Sequence, residues 1–82
     1  MRMIMSEEKI LQRFGLHVKV LRTKLDLSQE KLASLCDLDR TYISGIERGK
    51  RNISLLNIIK LASSLKVSSS ELMDFQKDLS DE

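Results

Sequence analysis

Proline is absent from this chain, and with it the strongest local barrier to a helix. β-branched alternation is scarce as well, so helices should dominate. A single cysteine, Cys36, excludes an internal disulfide and any metal site built on paired cysteine ligands. It lies beside Leu32 and Ala33 in sequence pattern and reads as a small buried hydrophobe. The only histidine, His17, has no Ser, Cys or carboxylate constellation to make it catalytic. The three glycines form no phosphate-binding loop, and neither zinc-ligand spacing nor a nucleophile elbow occurs. An enzyme is therefore not expected, nor a metal or cofactor. No apolar run approaches the roughly 20 residues that cross a bilayer, so no membrane partner is expected. MRMIMSEEK lacks an apolar stretch of useful length before its acids, which argues against a signal peptide and for a cytoplasmic protein.

What is present is one domain's worth of chain: 82 residues, near the lower limit for a self-sufficient core. Chains of this size often gain stability by oligomerising. With 41% apolar and 32% charged residues it should fold. The net charge of +2 is uneven: Asp74, Asp78, Asp81 and Glu82 against Lys77 make residues 74–82 an acidic tail of −3, leaving +5 on residues 1–73. A modestly basic body fits either ordinary surface charge or a polyanion-binding domain.

Five short helices are expected, in a single all-α domain spanning 1–82. Ser6-Glu7-Glu8 starts the first, and Ile10, Phe14, Val18, Leu21 and Leu25 make its apolar stripe. Asp26 suits the left-handed end of that helix. Ser28 caps a second helix, Gln29 to Cys36, with Leu32, Ala33 and Cys36 inward; Asp39 caps a third, Arg40 to Arg48. Ser54 caps a fourth, with Leu55, Ile58, Leu61, Ala62 and Leu65 as its buried stripe. Ser68-x-x-Glu71 is a capping box opening a fifth. Met1, Met3 and Met5 read as a ragged start.

Residues 28–48, two eight- or nine-residue helices joined by a very short turn, have the spacing of a helix-turn-helix. In that geometry the second helix can lie in the DNA major groove. At 100° per residue Arg40, Thr41, Ser44, Gly45 and Arg48 share one face of it, while Ile43 and Ile46 point away toward the other helices. Short polar groups and arginines suit base edges and phosphates. Gly45 is costly in such a helix, on the order of 1 kcal/mol against alanine. Either the helix backbone must approach something closely, such as a thymine methyl or a phosphate, or the glycine is merely tolerated at the surface.

LSQEKLASLCDLDRTYISGIERGKR, together with FGLHVKVLR upstream and ISLLNIIKLASSLKVSSSELM downstream, resembles the Cro/repressor-type (XRE-like) helix-turn-helix family over roughly residues 14–73. DRTYISGIERGKRNISLLNI is most similar to the controller proteins of restriction–modification systems, small dimeric regulators that time endonuclease expression relative to methyltransferase. The resemblance implies a compact, repressor-like fold and roles for individual residues. Arg40, Thr41 and Ser44 match base-reading positions, and Arg40 would favour guanine O6 and N7. Gln29 matches a phosphate contact that also positions a reading side chain. Tyr42 flanks the readers, and Arg48, Lys50 and Arg51 match a phosphate-gripping loop. Gly45 matches a further reading position but carries no side chain for it. Asp26 and Asp37 stand where relatives often have glycine. Arg22 and Glu47 match a partly buried ion pair tying the first helix to the end of the third, which places Glu47 in the scaffold and away from DNA.

Leu56, Ile59, Met73 and Phe75 are surplus apolar residues, either core for the fifth helix or a homodimer interface; the interface is the preferred expectation. The implied protein is a DNA-binding transcriptional regulator whose partners are a double-stranded operator, a second copy of itself and, when activating, RNA polymerase. A phage-type repressor, an antitoxin-type autoregulator, and an interaction module that has lost DNA binding are the alternatives.

Overall fold

The computed structural model describes residues 6–75; Met1, Met3, Met5 and the tail from residue 76 lie outside the described residues. Its five helices are α1 (Glu7–Lys24), α2 (Gln29–Cys36), α3 (Arg40–Glu47), α4 (Leu55–Ser64) and α5 (Ser69–Leu72). All begin at a side-chain cap. Ser6, Ser28, Ser54 and Ser68 each accept from the backbone N–H three residues on, and Asp39 accepts from that of Thr41. These bonds satisfy N–H groups that a helix start leaves without an internal partner. At Ser68 the box is reciprocal, since Glu71 Oε1 accepts from the Ser68 N–H at 2.8 Å.

Four helices end alike. Asp26, Asp37, Gly49 and Lys66 each adopt a left-handed conformation just after α1, α2, α3 and α4. The next residue then donates back across the last turn: Leu27 to Arg22, Leu38 to Ala33, Lys50 to Gly45 and Val67 to Ala62, at 2.8–3.2 Å. This is the Schellman pattern. Leu27, Leu38 and Val67 fold back with it and pack against the core.

The core is assembled from Phe14 and Val18 of α1, Leu32, Ala33 and Cys36 of α2, Ile43 and Ile46 of α3, Leu61 and Ala62 of α4, and Leu65, Leu72 and Phe75. α3 packs against both α1 and α2, so its inner side is wholly occupied. α1 crosses the end of α3 so closely that a Cβ on Gly15 would lie 2.2 Å from the Ile46 carbonyl oxygen. Only glycine fits there.

Four expectations need correction. Phe75 is 3% exposed and meets the Phe14 ring edge-on at 5.4 Å, so it closes the core and does not belong to an interface. Leu55, expected inside, is 73% exposed at the first position of α4. Leu25 is the C-cap of α1 and more than one-third exposed, since the chain turns away there before the stripe completes another step. The third helix also stops one residue early, with Arg48 as its cap. Among the described residues no helix is long and apolar enough to cross a membrane.

Candidate nucleic-acid interface

α3 is held on one side and open on the other. Ile43 and Ile46 are fully buried, while Arg40, Thr41 and Arg48 are exposed and Ser44 is half-exposed. The cap at Asp39 shapes the start of this open face. Asp39 Oδ1 accepts from both the backbone N–H and the hydroxyl of Thr41, each at 2.8 Å. Those two bonds hold the Asp39 carboxyl below its ordinary range. They also engage the Thr41 hydroxyl hydrogen, so Thr41 presents lone pairs and a methyl outward. An acceptor beside a methyl suits an exocyclic base amine and a thymine methyl. At the other end Arg48 Nε donates to the Ser44 carbonyl at 3.3 Å, which lays the arginine along the same face.

Beyond the helix, Arg51 turns back over α3. Its guanidinium carbon lies 5.4 Å from the centre of the Tyr42 ring, a cation–π distance. Tyr42 is itself fixed, because its hydroxyl accepts from Asn57 Nδ2 of α4 at 3.1 Å. Nothing in the sequence marks Asn57. A polar residue in the first turn of α4 carries no distinguishing signal until the fold sets it beside Tyr42. Lys50 is exposed next to Arg51. Arg40, Arg48, Lys50 and Arg51 thus bracket the polar face with positive charge.

Gly45 does not lie open on that face. It is buried, and the covering atoms belong to Arg51: a Cβ at Gly45 would stand 2.8 Å from Arg51 Cγ. The close approach expected of a ligand is made by the protein's own side chain.

Glu47 sits behind the face. It accepts from Arg22 Nε at 2.6 Å, from Arg22 Nη2 at 3.0 Å and from Gln29 Nε2 at 3.0 Å, with its side chain 3% exposed. Arg22 completes its fork by donating Nη1 to the Leu27 carbonyl at 2.6 Å. The hydrogen bond to Glu47 raises the Arg22 pKa further and keeps the guanidinium charged. One ion pair therefore joins α1, the start of α2 and the end of α3. Gln29 uses one amide hydrogen on Glu47 and retains a second, alongside the N–H groups at the start of α2, for an anion.

Leu56 and Ile59 are 74% and 49% exposed on α4, and Met73 is partly exposed after α5. Leu55 adds to the apolar surface on α4. His17 bonds through Nε2 to the Glu71 carbonyl at 3.0 Å and lies beside Phe75, securing α5 to α1. Among the described residues no group of three or more His, Cys, Asp or Glu side chains could hold a metal.

The profile of the helix-turn-helix family matches residues 18–72. Over 63 residues the chain is 56% identical to the control protein C.BamHI of Bacillus amyloliquefaciens, covering 76% of this chain and 78% of that one. It is 51% identical over 76 residues to the control protein C.MunI of a Mycoplasma species, covering 90% of this chain and 100% of that one. The crystal structure of the restriction–modification controller protein C.AhdI from Aeromonas hydrophila is similar with a TM-score of 0.74 at 53% identity, over 76% of this chain and 94% of that one.

Proposed function

The chain belongs to the helix-turn-helix family, among the restriction–modification control proteins, and from that premise we propose that it is a sequence-specific DNA-binding transcriptional regulator controlling such a system. The observation that carries the reading is the two-sided character of α3. Its inner side is filled by Ile43 and Ile46, and its outer side offers Arg40, Thr41 and Ser44 between basic groups. α2 and α3, over residues 28–48, act as the helix-turn-helix of a single DNA-binding domain. Arg40, Thr41 and Ser44 read base edges; Arg48, Lys50, Arg51 and Gln29 grip phosphates; Tyr42 supports Arg51 at their flank.

The protein works as a homodimer in the bacterial cytoplasm, at the nucleoid, and pairs through the exposed apolar side chains of Leu56, Ile59 and Met73. Two copies of α3 then enter successive major grooves about 34 Å apart, which calls for a pseudo-palindromic operator. It binds its own promoter region, recruiting RNA polymerase at low occupancy and excluding it at high occupancy. Phosphate contacts supply most of the affinity and make it steeply salt-dependent.

Fluorescence anisotropy tests this on two labelled duplexes, the DNA just upstream of the protein's own start codon and a shuffled version of it. At about 50 and about 200 mM salt, binding should fall steeply on both while the authentic duplex stays the tighter. Absence of binding to either duplex at the lower salt would leave the interaction-module alternative standing.

A further inference from the structure

Gly45 is the least expected residue on α3, and its conformation does not explain it. The residue has no left-handed φ, so any amino acid could adopt its backbone. Its carbonyl accepts from the Lys50 N–H at 2.8 Å, a bond that alanine would make equally well. What glycine allows is space. The three nearest atoms to a Cβ built there all belong to Arg51: Cγ at 2.8 Å, Nε at 3.4 Å and Cδ at 3.7 Å. Cγ is near the root of that side chain, so it cannot swing clear as a terminal nitrogen would. A methyl group at position 45 would force Arg51 to rotate at its base or its loop to move.

We propose that Gly45 is a positioning residue for Arg51: the missing side chain opens a notch in α3 that seats the arginine stem and holds its guanidinium over the Tyr42 ring. The notch, the ring and Asn57 act in series. Asn57 fixes the Tyr42 hydroxyl, the ring attracts the guanidinium, and the notch admits the stem. An arginine held in this way loses less rotational freedom when it meets a phosphate than one waving from a loop. The helix accepts a poor helix former to gain that order. The last step, contact with DNA phosphate, rests on the regulator reading above; the seating of Arg51 does not.

The test compares the wild type with G45A, R51A and the double variant. In free protein, side-chain NMR resonances of Arg51 carry the ring-current shift of Tyr42, and G45A should move them toward unstructured values. Operator affinity should fall about three- to tenfold in G45A. In the R51A background the same substitution should cost nothing more, and the double variant should melt above R51A because alanine favours the helix and the notch is empty. Unmoved Arg51 resonances in G45A, or an affinity loss that adds in full to that of R51A, would overturn the proposal. So would a double variant that melts below R51A, since the crowding would then lie elsewhere. A wild type that binds no DNA refutes the regulator reading, while the resonance shifts still decide the seating.

Discussion

Replacing Glu47 by alanine removes a carboxylate that three donors from two helices converge on, at 2.6, 3.0 and 3.0 Å. The magnitude follows from what is left behind. Arg22 stays about nine-tenths buried with one bond, to the Leu27 carbonyl, and no counter-charge. Breaking one side of a buried pair in this way costs about 3–5 kcal/mol. A chain of this size holds a total stability of roughly 4–12 kcal/mol, so the variant should stand near the edge of unfolding. At about 4–8 °C per kcal/mol, Tm should fall by roughly 12–40 °C. Substituting both members, Arg22→Met with Glu47→Leu, removes the stranded charge and should recover most of that loss. Recovery will be incomplete, because the Leu27 carbonyl and the Gln29 amide lose partners. Urea and thermal unfolding followed by far-UV circular dichroism compare both variants with the wild type. If Glu47→Ala cost under about 1 kcal/mol, the pair would be behaving as a surface ion pair and the account of Glu47 as the clamp between helices would be wrong.

Three further substitutions separate surface from core. The Asp39 carboxyl is held below its ordinary value of 3.8 by the Thr41 donors, so its contribution is complete above that value and disappears as pH falls through the lower folded value. Asp39→Asn caps the helix without titrating, so its melting temperature should match wild type at neutral pH and decline less steeply in acid, read by thermal scans between pH 2 and 7 in steps of about one unit. Phe75→Ala should lower stability by about 3–5 kcal/mol, whereas Ile59→Asp should leave helix content intact and move the sedimenting species toward monomer. A Phe75→Ala protein as stable as wild type, or an Ile59→Asp protein that stays dimeric, would contradict these placements.

The features legible in the sequence were those whose chemistry is local. Ser6, Ser28, Asp39, Ser54 and Ser68 announce helix starts because each cap bonds only to N–H groups within three residues. Asp26 and Asp37 announce helix ends because a short polar side chain tolerates the left-handed region. Lys66 does the same job with nothing in its chemistry to mark it, so the end of α4 was invisible. Periodicity marks Val18, Ile43 and Leu61 as inside, and they are; it fails at Leu25 and Leu55, because it assumes a partner along the whole helix and both residues sit at ends. Phe75 lies in the core through contact with Phe14, 61 positions earlier, which no local pattern encodes. The same holds at the candidate interface. The basic and polar run of α3 is readable, whereas Asn57 beneath Tyr42, and Arg51 as the reason for Gly45, exist only once α3, its loop and α4 are folded together.

The proposed function divides the labour at this surface: α3 side chains would read bases while the arginines beyond the helix would hold phosphate. Binding of wild type, Arg40→Ala and Arg51→Ala to the operator and to a set of its single-base variants, each across a salt series, tests it most directly. Arg40→Ala should lose about 1–3 kcal/mol on the operator and become indifferent to the base at one position. Arg51→Ala should weaken binding to every duplex alike, keep the base preferences and lower the salt slope by about one. If both variants lost affinity equally on all duplexes with every base preference unchanged, Arg40 would be one more phosphate contact and the division would fail.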